Sequence, residues 1–263
     1  MRRVLGAVVA AVAFAGNVGS VSAAELRISF AELAGVVQAV IGDAKVHLNN
    51  KPGGLLNFSS GSYAQVAGQQ IDVPLAPKSF EVLGSTYAYY VNDLNSNSVS
   101  VAAVPSAVRV MLGFESTGSE LVAGCIRGSC SLADALPIID WNNGTVSIDV
   151  VPVRYGTSMA LQVKSVSIGG TMQANCGSSG GFFSGGACEL ALPWANRAIS
   201  KLRPDLAAML KDKVNDPQIQ AGIATNIKKH LALGSAGEIT ITNVATDARG
   251  VTITFAMPGA VGG

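Results

Sequence analysis

Charge is scarce in this chain. Asp, Glu, Lys and Arg make up 13% of its 263 residues, and 18 basic side chains against 17 acidic ones leave a net charge of +1. That excludes the broad basic field on which nucleic-acid binding rests. Histidine is scarcer still, with His47 and His230 the only two. His230 ends a predicted helix among lysines, which suits the helix dipole better than catalysis. No Gly-rich phosphate loop follows a strand and opens a helix. Gly177-Ser178-Ser179-Gly180-Gly181 has the spacing of a nucleophile elbow. It lies in a Gly/Ser loop between two cysteines, however, not at a strand-to-helix turn. The acidic residues stand singly, and Asp205 and Asp216 beside prolines read as helix caps or turns. The chain therefore reads as a non-enzyme with no cofactor and no metal. Aromatics are few, at 6%, so aliphatic side chains must fill the core.

What is present begins with an export signature. Met1-Arg2-Arg3 precedes an apolar run from Val4 to Gly16, and small residues at Val21-Ser22-Ala23-Ala24 form a cleavage pattern. This predicts a signal peptide over residues 1–23, cut after Ala23 or Ala24, in preference to a membrane anchor. Residues 24–263 then form one domain, with no further segment long enough to span a bilayer as a helix. The four cysteines fit the same compartment. Three pairings are open. Cys125–Cys130 and Cys176–Cys188 are favoured because each closes a short Gly/Ser-rich loop. Zinc-ribbon spacing is absent. Asn57-Phe58-Ser59 and Asn143-Gly144-Thr145 are glycosylation sequons, the second better explained by a turn. Phe182-Phe183, between Cys176 and Cys188, is an aromatic pair that either touches a membrane surface or folds back over core.

Ser29 with Glu32 three residues on reads as a capping box opening a helix to about Gly42, with Leu33, Val36, Val37, Val40 and Ile41 on one face. Short β-like runs fill residues 55–172. Asn92 to Asn97 reads as a turn, with Ser98–Val104 pairing with the strand before it. Trp141-Asn142-Asn143-Gly144 reads as a hairpin turn, since Asn-Gly readily takes positive φ. Pro152 inside the next strand marks an edge or a bulge. Met159, Leu161 and Val163 share one parity, whereas Val166, Ile168 and Met172 share the other. A bulge or turn near Lys164-Ser165 is therefore predicted.

From Pro193 to about Leu231 the pattern turns helical, with Pro204 and Pro217 expected to break or kink it. Leu206, Met209, Leu210, Val214, Ile219, Ile223 and Ile227 recur on one stripe. Two strands, Glu238–Val244 and Gly250–Met257, close the chain. The fold class read from this order is α+β, an antiparallel sheet with helices on one side. The stripe is plain core or one wall of a cavity. In the second case Met209, Leu210, Ile223 and Ile227 face strand residues such as Ile168, Met172, Ile253 and Phe255 across an apolar gap.

This order resembles the tubular lipid-binding superfamily, the group that includes bactericidal/permeability-increasing protein. The resemblance rests on the early helix, the strand run through Met172, the long helix, and the closing hairpin Ile239–Phe255. Val150-Val151-Pro152-Val153 followed by Met159 to Ile168 is similar to its strand pairs. Ile239-Thr240-Ile241 with Gly250 to Phe255 is similar to its terminal strands. It implies a curled sheet wrapped on a long C-terminal helix, kinked in this chain by Pro204 and Pro217, with an apolar, lipid-like ligand in the groove between them. The expected function is an exported apolar-ligand binding or transfer protein of the cell envelope. The alternative is a secreted β-rich structural or adhesive surface protein without a small-molecule ligand.

Overall fold

The computed structural model describes residues 23–50, 61–66, 69–73, 77–118, 120–130, 136–176, 184–230 and 240–256. The expected signal peptide up to residue 22, Phe182 and Phe183, the 177–181 motif and Asn57 lie outside them.

Strand β1 (Ala23–Ser29) leads directly into helix α1 (Phe30–Ile41). The predicted capping box is present: the Ser29 hydroxyl accepts from the Glu32 N–H, and the Ser29 N–H donates to the Glu32 carboxylate at 2.7 Å. Two of the helix's orphan N-terminal donors are thereby satisfied. Next come β2 (Lys45–Leu48), β3 (Tyr63–Val66), β4 (Gln69–Asp72), β5 (Lys78–Val82), β6 (Ser85–Val91), β7 (Leu94–Val104), β8 (Ala107–Phe114) and β9 (Leu121–Arg127). Two 18-residue strands follow, β10 (Ile138–Tyr155) and β11 (Ser158–Asn175). Helices α2 (Ser184–Val214) and α3 (Pro217–His230) and strands β12 (Thr240–Thr246) and β13 (Gly250–Ala256) complete the chain.

The class is α+β, and all the strand pairs are antiparallel. The larger sheet runs β4-β3-β2-β7-β8-β10-β9-β6-β5, with β11 on the other edge of β10. It is open; the curled sheet wrapped on a helix is not what forms. The reason lies in β10. It is longer than any one neighbour on its outer edge, so β8 takes residues 145–150 and β9 pairs at Ile139. Among the described residues no strand ladder joins the two groups; they meet where Asn50, just past β2, donates to the Val91 carbonyl at 3.1 Å and accepts from the Val91 N–H at 2.6 Å. A second sheet, β1-β13-β12, packs beside it.

Three local expectations change. Asn143-Gly144 is no hairpin turn but a bulge within β10, where the register slips between Asn142 and Thr145 opposite Gly170. Asn143 and Gly170 take the positive φ there, 51° and 84°. Trp141 lies so close over Gly144 that a Cβ would meet its ring at 2.7 Å. Strand β7 pairs with β8 and β2, not with β6, because the chain turns at Asn92-Asp93 into a different part of the sheet. The helical segment starts nine residues before Pro193, runs through Pro193 and Pro204, and breaks only at Asn215-Asp216. Asp205 is thus inside a helix. Asp216 does cap one, its carboxylate accepting from the Gln218 N–H at 2.9 Å with Pro217 in the first turn.

The predicted shift in β11 is there. Asp149 faces Ser165 and Val150 faces Val163, which leaves Lys164 as the extra residue. Paired bulges in β10 and β11 keep the apolar side chains on the helix face along both strands. Pro152 lies past Val150, where β8 no longer pairs, so its missing N–H costs no ladder bond. The outer edge of β11 is blunted by side chains from the helix break. Asn215 Oδ1 accepts from the Val163 N–H at 2.8 Å and its Nδ2 reaches the Val163 carbonyl, while Gln220 Nε2 donates to the Leu161 carbonyl at 3.0 Å. These amides stand in for a neighbouring strand.

Candidate functional site: an apolar band between two cores

Two apolar cores lie on the helix side of the large sheet. The first joins α1 (Phe30, Leu33, Val37) to β8, β10, β11, β13 and Ile227 of α3. The second joins β6, β9 and the feet of β10 and β11 to Ala195 and Leu202 of α2, with Phe114 stacked on Trp141. Ile148 and Val166 pack against both.

Around that junction the apolar side chains are only half-buried. Ile148, Val166 and Ile168 come from the sheet; Leu206, Met209, Leu210, Val214 and Ile223 come from the helices. The eight residues nominated from periodicity divide accordingly. Met209, Leu210, Ile168 and Ile223 belong to this band. Met172, Ile227, Ile253 and Phe255 are buried, Met172 in the second core and the other three in the first. The stripe on α2 and α3 is therefore not one surface. Leu206, Met209 and Leu210 pack on the second core, whereas Val214, just before the break at Asn215-Asp216, already packs on the first with Ile223 and Ile227. An open depression of about 200 Å³ lies away from the band, at the β10–β11 turn, lined by Tyr155, Ser158, Ala221, Ala224 and Thr225, none of them among the eight.

The disulfides are Cys125–Cys130 and Cys176–Cys188, as favoured. The second ties the end of β11 to the first turns of α2 and so fixes where that helix lies on the sheet.

One polar centre was not read from the sequence. Glu120 is 0% exposed. Its carboxylate accepts from the backbone N–H groups of Thr117, Gly118 (3.0 Å) and Trp141 (2.8 Å). Burial opposes its ionisation, but these backbone donors outweigh burial and hold the carboxyl below its usual value. Burial and the Glu120 charge push neighbouring Asp140 the other way. Asp140 accepts from the Asn175 amide through one oxygen. Glu120 fastens the β8–β9 connection to β10, which is a structural task. A lone glutamate before a strand carries no sequence signal for it. His47 lies against Tyr63, with Nδ1 2.9 Å from Asn95 Oδ1 and 3.4 Å from Asp93 Oδ1. The His230 side chain lies outside the described residues. Among the described residues, no three His, Cys, Asp or Glu side chains are grouped to hold a metal. No described helix is long and apolar enough to cross a membrane.

No family model matches the chain, and no curated protein does. Among solved structures, the crystal structure of a lipopolysaccharide binding protein is similar at 13% identity and a TM-score of 0.30. The match covers 71% of this chain and 43% of that one, so this chain spans less than half the length of that protein. A superposition this loose assigns neither a family nor a ligand.

Proposed function

We propose that this protein is an exported, non-catalytic binder or carrier of apolar, lipid-like molecules in the cell envelope, and that the ligand occupies the half-buried band between the two cores. The observation that carries the reading is the contrast along the helix–sheet seam. Leu202 and Ile227 are dry at its two ends, whereas Met209, Leu210, Val166 and Ile168 keep solvent contact between them. Aliphatic surface left wet on two packed layers is what a long apolar chain would cover. Two disulfides support an oxidising compartment. The order of elements that resembles the tubular lipid-binding superfamily supports the same class.

The test is uptake of a fluorescent fatty acid, with lipid extraction and mass spectrometry of gently purified protein. Met209→Trp and Ile223→Trp should leave the protein folded and block uptake, since a half-buried site accepts bulk. In a packed core the same change costs about 1–3 kcal/mol. Phe255→Ala should destabilise by about 3–5 kcal/mol. The reading fails if wild-type protein takes up no probe and carries no lipid, or if both Trp variants unfold as core variants do.

A further inference from the structure

Five large apolar side chains are exposed among the described residues, and four lie toward one end of the molecule. Strand β9 leaves β10 at Ile139 and runs away from it, so the β5–β6 turn and the Cys125–Cys130 loop extend past the foot of β10. Leu83 is 78% exposed at the tip of that turn, and Ile126 is 45% exposed in that loop. Ser85 and Ser129 hydroxyls, 3.3 Å apart, hold turn and loop together. The Cys176–Cys188 bridge brings the first turns of α2 to the same end. There Leu190 is 73% exposed and Trp194 40% exposed. Leu83 also has a positive φ of 48°, unusual for a leucine.

Leu190, Trp194, Arg197 and Lys201 fall at i, i+4, i+7 and i+11, one outward stripe opposite the buried Cys188, Ala191, Ala195 and Leu202. The stripe is about 16 Å long. Arg197, Lys201 and Arg127 have no ion-pair partner among the described residues, while Glu81, Glu189 and, one helical turn past Lys201, Asp205 are the acidic groups nearby. Apolar anchors next to free cations on a helix that cannot span a bilayer match an interfacial contact, with the cations reaching phosphate-bearing headgroups.

We infer that this end of the molecule docks on an anionic lipid surface, through Leu83, Ile126, Leu190 and Trp194 as anchors and Arg197 and Lys201 as headgroup contacts. The contact does not depend on the seam taking up a ligand. A carrier would need it, and a surface protein could use it equally.

The experiment is cosedimentation of the full chain with vesicles of phosphatidylcholine containing one third phosphatidylglycerol, and with phosphatidylcholine alone, while recording tryptophan emission. Trp141 is buried, so a blue shift on vesicle binding reports Trp194. The expected result is binding to anionic vesicles with a blue shift. Leu190→Ser with Trp194→Ser should abolish it. Arg197→Glu with Lys201→Glu should weaken it more than tenfold, since each basic residue near such a surface is worth about fivefold. Leu83→Ser is a milder change that leaves α2 intact, and it should weaken binding several-fold. No binding to anionic vesicles overturns the inference. So does binding unchanged by the α2 variants, or a stable dimer in solution that already shields Trp194 from a soluble quencher. Vesicle binding by a protein that takes up no fatty acid and carries no lipid would sink the carrier reading and leave this contact standing; uptake without vesicle binding would do the reverse.

Discussion

Glu120→Gln is the perturbation that most directly tests the buried polar centre. The glutamine can keep the acceptor that serves Thr117 and Gly118. Its NH2 then replaces the oxygen that accepts from the Trp141 N–H at 2.8 Å. One charge-assisted bond is lost, worth about 1.5–3 kcal/mol, and a buried N–H faces another donor. Some relaxation of the 115–120 connection follows, so the expected net cost is about 2–4 kcal/mol. For a chain of this size that is a fall in Tm of about 5–15 °C. The pH dependence has a definite sign. Backbone donors hold the folded Glu120 carboxyl below its ordinary value of 4.5. The unfolded chain therefore takes up its proton first as pH falls. The Glu120 contribution is fully present above that ordinary value and is lost as pH falls through the lower folded one. The stability gap between wild type and Glu120→Gln, measured by urea unfolding at several pH values, should be constant near neutrality and shrink in acid. Glu120→Gln also removes the charge that raises Asp140, which offsets part of the loss at neutral pH. An Asp140→Asn background removes that offset. A variant as stable as wild type at pH 7, or a gap that widens in acid, would refute the account.

Three further changes have expected outcomes. Ser29→Ala removes half of the capping box and should cost about 1 kcal/mol, visible in thermal unfolding and as faster amide exchange in the first turn of α1. Asn215→Ala leaves the Val163 N–H and carbonyl without their side-chain partners at the outer edge of β11. It should cost about 1–3 kcal/mol and raise exchange at the Val163 amide selectively; unchanged exchange there would remove Asn215 from the edge-capping role. Gly250→Ala puts a Cβ 2.3 Å from the Ile28 carbonyl oxygen, so β1 and β13 must part. A loss of about 1–3 kcal/mol is expected, with chemical-shift changes centred on the β1–β13 pair.

Local and periodic features were legible in the residues. Ser29 with Glu32 announced the start of α1, because a capping box needs only groups three positions apart. The change of parity between Val163 and Val166 announced the β11 bulge, since a strand must keep its apolar side chains on one face. Cys125–Cys130 and Cys176–Cys188 followed from short loop closure. The stripe on α2 and α3 was visible because helical spacing is a property of the chain itself.

What a feature means once neighbours arrive was decided only by the tertiary structure. Asn143-Gly144 has the dihedral freedom for a hairpin turn, yet β11 pairs on both sides of it and holds it as a bulge in β10. Nothing near Ser98 states that β7 pairs with β8 and β2 rather than β6, because pairing is set by where the whole chain packs. Pro204 stays inside a helix whose buried face spans it, and the break falls at Asn215, whose amide is needed at Val163. Glu120 is an ordinary glutamate until three backbone N–H groups converge on it. Met209 and Ile227 share a stripe in sequence but not a core in space, because the helices run along the sheet from one core to the other and the stripe passes between them from Leu210 to Val214.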